Sequence, residues 1–317
     1  MTILHDRPLA ITLALLFGVL IFSSLIGWRL ARRVQSADGR DTVANLNARI
    51  NAWWVMTAVF LAAVVIGPLG SVILFALMSF LALREYLALS PTLRADHRVL
   101  LWLVFVVLPL NYLLVASRWY GLFAIFIPVY GFIWLQIRAA LSGATEEFLD
   151  RTARIQWGMM VAIYFLSYVP ALLMLDIPAY SAEGRNFALV MFLVLVAQAS
   201  DVLQYVVGKL AGRHPVAPRL SPNKTIEGLV GGVMLASLLG AALYRLTPFS
   251  PVAAGAMAFV ICLMGFAGGL IMSATKRDRG IKDFGTLLPG HGGMLDRIDS
   301  LCFSAPVFFH LSRYFYA

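Results

Sequence analysis

The sequence predicts an all-α, polytopic integral membrane protein of about ten transmembrane helices. Of its 317 residues, 61% are hydrophobic and only 13% are charged, whereas soluble domains are typically about 45–50% apolar and about 25% charged. The apolar residues also fall into runs of about 20, the length that a helix needs to cross the hydrocarbon core. A soluble chain of this composition lacks the polar groups to cover its own surface, so we expect the bilayer to be its solvent.

Ten apolar runs are candidate spans. They are residues 9–31, 52–68, 70–88, 99–117, 120–137, 157–176, 187–207, 227–246, 251–272 and 299–316. The second and third runs are separated by Gly-Pro-Leu-Gly at positions 67–70, a composition typical of a tight turn. The first run is too long for a cleavable signal, and Arg29, Arg32 and Arg33 stand at its C-terminal end, so we interpret that run as a span.

The basic residues are divided unequally between the two sides of the predicted bundle. With the N-terminus outside and every run crossing, one side holds five of the 25 Lys and Arg residues and the other side holds 20. The five are Arg7, Arg118, Arg185, Arg245 and Arg313. Because cytoplasmic loops are enriched in Lys and Arg, we expect both termini outside and the polar loops 208–226 and 273–298 in the cytoplasm. The same rule accounts for the net charge of +9, so nucleic acid is not expected as a partner.

Two carboxylates lie within or at the end of apolar runs, where a charge is costly and usually functional. Asp201 falls inside the seventh run. A structural alternative for it is an ion pair with a basic residue such as Lys209. Glu85 ends the third run beside Arg84, and both an interfacial Arg–Glu pair and a functional role stay open.

The segment 221–228 reads Ser-Pro-Asn-Lys-Thr-Ile-Glu-Gly. Its Ser-Pro start interrupts the chain before the next run, so Lys224, Thr225 and the free N–H groups of a helix start gather at one point. A helix N-terminus with a lysine and hydroxyl groups is a ready anion site. Glu227 is placed to cap the same end. Plain capping of a membrane helix is the alternative interpretation.

The loop 273–299 is the most polar part of the chain and carries the predicted catalytic surface. Four cations stand within seven residues, and four carboxylates are interleaved with them or follow them. They are Lys276, Arg277, Arg279 and Lys282, with Asp278, Asp283, Asp296 and Asp299. Lys and Arg neutralise phosphate charge, and carboxylate oxygens hold Mg²⁺, which bridges to phosphates. The loop therefore predicts a site for a nucleotide polyphosphate with a divalent metal. A solvated positive-inside loop would account for the cations but not for the carboxylates.

His291 stands within a Gly-His-Gly-Gly run of the same loop. We interpret it as a contact to phosphate or a group for proton transfer, with a structural histidine bonded to the backbone as the alternative. Asp296 and Asp299 are three residues apart and share a face if a helix begins there.

The run from Ser273 to Asp299 resembles the signature of phosphatidate cytidylyltransferases, also called CDP-diacylglycerol synthases. The matching pieces are Ser273, Lys276-Arg277, Lys282-Asp283, Pro289-Gly290-His291-Gly292-Gly293 and Asp296-Arg297-Ile298-Asp299. The segment 221–228 resembles a second motif of that family, and Asp201 with Tyr205 and Gly208 resembles a third. The resemblance suggests two regions, N-terminal transmembrane helices at 1–180 and a cytidylyltransferase-like catalytic transmembrane region at 181–317.

The resemblance implies that CTP and phosphatidic acid give CDP-diacylglycerol and pyrophosphate, by attack of the lipid phosphate on the α-phosphorus of CTP. It also implies Mg²⁺, with a monovalent cation as a further option, and a site on the cytoplasmic side of the cell inner membrane, and it suggests a homodimer. The residues that it implies are Lys224, Asp283 and Asp296 for catalysis; Ser221, Thr225, Glu227, Lys276, Arg277, Lys282, His291 and Arg297 for substrate binding; and Asp201, Asp296 and Asp299 for the metal.

One position departs from the family pattern. Family members carry a metal-binding aspartate four residues before the signature serine, where this chain has Gly269. Asp201 and Asp278 are the candidates to supply the missing oxygen. Three hypotheses follow: an active cytidylyltransferase, a weakened or inactive relative that binds nucleotide or anionic lipid, and a transporter built on Asp201. The transporter leaves the loop signature unexplained.

Overall fold

The described part of the chain folds into a bundle of long helices with one small hairpin. The computed structural model describes residues 7–34, 36–287 and 292–317. Its helical segments within those residues are α1 Arg7–Arg33, α2 Ala37–Ile66, α3 Pro68–Ala88, α4 Arg94–Ala116, α5 Tyr120–Ala140, α6 Phe148–Met174, α7 Asn186–Ala211, α8 Ile226–Ala242, α9 Pro251–Asp278 and α10 Leu295–Tyr316. The prediction of an all-α, polytopic membrane protein is confirmed.

In the part of the chain that it describes, the structure has fewer helices that meet the requirements of a span than the ten that the sequence predicts. Among the described residues, eight helices, α1 to α7 and α9, are long and apolar enough to cross a membrane. Helix α8 is apolar but only 17 residues long, and α10 begins with the charged run Asp296-Arg297-Ile298-Asp299. The count of ten spans, and the side on which each terminus lies, stay predictions.

Several helices extend well beyond the apolar runs that predicted them. Helix α2 begins at Ala37 instead of residue 52, and α9 continues to Asp278. The prediction of a loop starting at residue 273 is therefore wrong, because hydropathy marks where the apolar run ends and not where the helical hydrogen bonds end. Lys276 and Arg277 occupy the last turn of α9, where positive charge favours the helix dipole.

The break between α2 and α3 has the predicted sequence cause. Gly67 has a φ of 102°, a conformation that residues with a Cβ rarely adopt. Pro68 then occupies the first turn of α3, where its missing N–H costs no helical hydrogen bond.

A two-stranded hairpin departs from the purely helical expectation. Strands β1 Pro215–Ala217 and β2 Ser221–Thr225 pair antiparallel inside the segment predicted as a loop. Because β2 runs directly into α8, the hairpin fixes the position of Lys224 at the start of that helix.

Small residues allow α7, α8, α9 and α10 to pack closely. A Cβ added at Gly232 on α8 would lie 2.6 Å from the Cα of Gln204 on α7, and one added at Gly268 on α9 would lie 2.8 Å from the carbonyl oxygen of Asp299 on α10. Close backbone approach at small residues is typical of membrane helix pairs. It brings Asp201, Gly269 and Asp299 to one level of the bundle.

Candidate active site

Two carboxylates from different helices meet through one serine. The Ser300 hydroxyl on α10 donates to Asp201 Oδ2 on α7 at 2.8 Å, and the Ser300 backbone N–H donates to Asp299 Oδ1 at 2.7 Å. Ser300 is buried, whereas Asp201 is exposed, so the pair can be reached from the surface of the bundle. The sequence placed Asp201 and Asp299 in one site but gave no role to Ser300, because a lone serine carries no recognisable signal.

Lys224 completes this group from the end of the hairpin. Its ammonium lies 4.8 Å from the centre of the Phe266 ring. Burial lowers the pKa of Lys224, and the nearby charges of Asp299 and Asp201 oppose that effect. We call Asp201, Lys224, Asp299 and Ser300 the acidic cluster.

Gly269 provides the room for this lysine. A Cβ added at Gly269 would lie 2.6 Å from Lys224 Nζ and 3.6 Å from Asp299 Oδ2. The position at which the family pattern has a carboxylate therefore faces the acidic cluster directly. In this chain the lysine ammonium lies against that backbone.

Asp296 is used differently from the aspartates of the acidic cluster. Its Oδ1 pairs with Lys276 Nζ at 2.9 Å, and its Oδ2 accepts the N–H groups of Phe284 at 2.8 Å and Gly293 at 3.0 Å. Its side chain is only 3% exposed. In this arrangement Asp296 ties α9, the loop and α10 together, and its predicted roles in catalysis and metal binding stay predictions.

Glu85 reaches the same loop from the third helix. Its carboxylate accepts the backbone N–H groups of Met294 and Leu295, both at 2.9 Å, and thereby caps the start of α10. A Cβ added at Gly293 would lie 2.5 Å from Glu85 Oε2, so the glycine is needed for this approach. The sequence marked Glu85 as an unusual charge, but its partners lie too far along the chain to be deduced from a pattern.

The start of α8 is held by two separate contacts. Thr225 Oγ1 accepts the N–H of Gly228 at 3.1 Å as the N-cap of the helix. Glu227 instead accepts the backbone N–H groups of Arg213 and His214 at 3.0 and 3.2 Å. Both residues thus have structural roles here, which supports the capping alternative for Thr225, and their predicted contacts to substrate are untested.

The remaining predicted residues are distributed around the loop. Arg277 donates to the carbonyl oxygens of Leu220 at 3.3 Å and Ile281 at 3.1 Å and so links the loop to the hairpin. Lys282 and Asp283 are exposed on the loop. Ser221 starts β2 opposite Ala217. Arg297 lines an apolar cavity, and His291 lies outside the described residues.

The donor groups fit a Mg²⁺ ion that arrives with a nucleotide. Within residues 7–34, 36–287 and 292–317, no three His, Cys, Asp or Glu side chains are grouped as a complete metal site. Mg²⁺, however, is commonly held by one or two carboxylates together with substrate phosphates. Asp201 and Asp299, joined through Ser300, match that smaller requirement.

Comparison with known proteins agrees with these features. A family model described as "Cytidylyltransferase family" matches residues 47–315. The chain is 43% identical to "Uncharacterized protein YnbB" of Escherichia coli K12, over 96% of this chain and 98% of that protein.

Two further relatives carry the name phosphatidate cytidylyltransferase. The one from Mycobacterium leprae is 45% identical over 39% of each chain. The one from Staphylococcus aureus strain COL is 30% identical over 59% of this chain and 74% of its own length. Because the family model spans most of the sequence, this integral membrane protein belongs to the cytidylyltransferase family.

Proposed function

We propose that this protein is a phosphatidate cytidylyltransferase that converts CTP and phosphatidic acid into CDP-diacylglycerol and pyrophosphate. A phosphate oxygen of the lipid forms a bond to the α-phosphorus of CTP, and the bond from that phosphorus to the bridging oxygen of the β-phosphate breaks. Pyrophosphate leaves with the electron pair. The acidic cluster carries the proposal, because it joins two carboxylates and a half-buried lysine at the loop that bears the family signature.

The chain's own residues act by positioning and charge. Lys224 neutralises phosphate charge within the acidic cluster, and Arg277 and Lys282 extend the positive surface along the loop. Asp201 and Asp299 would hold Mg²⁺, which supplies neutralisation of polyphosphate charge when it is bound. No protein nucleophile is needed, so the rate depends on holding the two substrates in line.

We also propose that the site faces the cytoplasm at the cell inner membrane, with both termini outside. In that orientation 20 of the 25 Lys and Arg residues lie on the cytoplasmic side. Phosphatidic acid then reaches the site from the bilayer and CTP from the cytoplasm. A homodimer is compatible with this arrangement, and nucleic acid is not a partner.

The test is an assay of the purified protein in phosphatidylcholine nanodiscs with radiolabelled CTP, Mg²⁺ and phosphatidic acid. We expect lipid-soluble label and one pyrophosphate per labelled lipid, both absent when diacylglycerol replaces phosphatidic acid. The Staphylococcus aureus relative serves as the positive control. If that control is active and this protein yields no labelled lipid, the proposed activity is wrong.

Gly269 favours one second candidate function, a relative that binds nucleotide without turnover. This candidate predicts CTP binding by the wild type, no labelled lipid, and a gain of activity in Gly269→Asp but not in Gly269→Asn. Since a Cβ at this position approaches only the flexible end of Lys224 closely, both variants should fold. Normal turnover by the wild type would exclude it.

A further inference from the structure

An apolar cavity lies beside the acidic cluster, on the side of the first helices. It has a volume of about 270 Å³ and is enclosed by residues of α1, α2, α3, α7 and α10. Apolar side chains such as Leu16, Met56, Phe60 and Leu195 form most of its wall. None of these residues belongs to a motif that the sequence singled out.

One charged side chain breaks this apolar lining. Among the described residues, Arg297 is the charged group that lines the cavity. Its Nε atom is buried and has no hydrogen-bond partner within the described part of the chain. A buried guanidinium nitrogen without a partner is costly, so the arrangement favours a ligand that brings an anionic oxygen to Arg297.

The charged end of the cavity lies next to the candidate active site. Arg297 precedes Asp299 and Ser300 on α10, and the lining residue Gln198 stands one turn before Asp201 on α7. The cavity also reaches the outer surface of the bundle, because its lining residues Val55 and Val59 are 59% and 47% exposed. An amphiphile that enters from the bilayer between the helices would thus bring its head group to the acidic cluster.

We propose that this cavity binds one acyl chain of an anionic phospholipid, with Arg297 on the phosphate. Most of the cavity wall is apolar, so it suits the hydrocarbon of an acyl chain, and Arg297 suits the anionic head group. The proposal rests on the proposed function for its substrate, phosphatidic acid, and adds that α1 and α2 help to select the acyl chain.

Trp53 on α2 lines the cavity and provides a binding signal that needs no CTP. The measurement is quenching by phosphatidic acid brominated on one acyl chain, added at low mole fraction to phosphatidylcholine nanodiscs that hold the full-length protein. The Trp53 contribution is the difference between the wild type and Trp53→Phe. Phosphatidylcholine brominated in the same way reports the quenching that comes from the bulk bilayer.

We expect brominated phosphatidic acid to quench Trp53 more strongly than brominated phosphatidylcholine. In Arg297→Gln, the concentration of brominated phosphatidic acid that gives half-maximal quenching should rise roughly tenfold, the effect of one lost charge-assisted hydrogen bond. Equal quenching by the two lipids, or a preference that survives in Arg297→Gln, would overturn the proposal.

A second measurement concerns chain selection. Met56→Trp fills the cavity, whereas Val65→Trp adds the same side chain to α2 at a position that is 74% exposed and does not line it. In the CTP assay, Met56→Trp should reduce turnover of long-chain phosphatidic acid relative to a dioctanoyl substrate, and Val65→Trp should leave that ratio unchanged. An unchanged ratio in a folded Met56→Trp protein contradicts the proposal.

The two proposals fail in distinguishable ways. Selective quenching without turnover would remove the proposed activity and keep the lipid site. Turnover without selective quenching would remove the proposed lipid site and keep the proposed activity.

Discussion

A hydrogen bond of 2.9 Å joins the Leu295 backbone N–H to Glu85 Oε2 across 210 positions of the chain. The neighbouring N–H of Met294 binds the other oxygen of the same carboxylate at 2.9 Å. A helix from the N-terminal half thus fixes the start of the helix that carries Asp296, Arg297 and Asp299. Glu85 is a positioning residue, since it binds the backbone of α10 and not the acidic cluster.

Glu85→Gln should therefore lower turnover without unfolding the bundle. The amide keeps one acceptor oxygen but turns an NH₂ group toward the second N–H. We expect a loss of about tenfold in kcat/KM, which corresponds to roughly 1–2 kcal/mol for one lost hydrogen bond to a charged group. The measurement is the CTP assay together with the thermal unfolding midpoint in detergent.

The matched control is Glu147→Gln. Glu147 is also an acid, but it forms an ion pair with Arg154 at 3.7 Å and its side chain is 62% exposed. It should leave kcat/KM unchanged. Equal activity of Glu85→Gln and the wild type would contradict the positioning role.

The pH dependence of activity should report Lys224. Burial lowers its pKa, so the ammonium that neutralises phosphate is lost as pH rises through a value below the ordinary lysine range. The alkaline limb of kcat/KM reports groups of the free enzyme and should fall at that pH. Arginine stays protonated throughout, so Lys224→Arg should move the limb to higher pH.

Lys209→Arg is the control for this pH prediction, because Lys209 is an exposed lysine in the last turn of α7. Its pH profile should match that of the wild type. An alkaline limb that stays in place in Lys224→Arg would show that another group controls it.

Lys276 and Asp296 should be strongly coupled in stability. Their ion pair of 2.9 Å is largely shielded, with exposed fractions of 16% and 3%. Removing either partner leaves the other charge poorly compensated. Lys276→Met and Asp296→Asn should therefore each lower the free energy of unfolding by more than half of the loss in the double variant. We expect a coupling free energy of about 1–3 kcal/mol from a double-mutant cycle of reversible unfolding. Additive effects would mean that the pair contributes nothing specific.

Thr225 provides a test of the hairpin junction. Its hydroxyl caps α8, so Thr225→Ala should cost about 1 kcal/mol of unfolding free energy, and Thr225→Ser should retain most of it. If the predicted contact to substrate also holds, the KM for CTP will rise in Thr225→Ala and stay near the wild-type value in Thr225→Ser. Unchanged stability in Thr225→Ala would contradict the capping role.

Composition and the length of the apolar runs predicted the membrane fold, because a segment that lies in the bilayer must be apolar over about 20 residues. They could not predict that α9 runs on through Lys276 and Arg277, since a helix can leave the bilayer without ending. The hairpin was missed for a similar reason. Its two strands are only three and five residues long and contain Pro215 and Pro222, which argue against strands.

Some residues of the candidate site could be predicted from the sequence and others could not. The family pattern indicated Asp201, Lys224 and Asp299, and the structure brings them together. The contacts of Glu85 and Ser300 depend on long-range packing, which leaves no local pattern. The interpretation of Gly269 differs most between sequence and structure. In the family pattern it replaces a metal ligand, whereas in the structure it leaves room for the Lys224 ammonium.

The most direct test of the central claim is transfer of radiolabel from CTP to phosphatidic acid by the wild type and by Asp299→Asn in the same nanodiscs. We expect labelled CDP-diacylglycerol from the wild type and a loss of at least about a hundredfold in Asp299→Asn, comparable to the removal of one principal electrostatic group. Folding of the variant is checked by its unfolding midpoint. Transfer at the wild-type rate by folded Asp299→Asn, or none by the wild type beside an active control relative, would contradict the account.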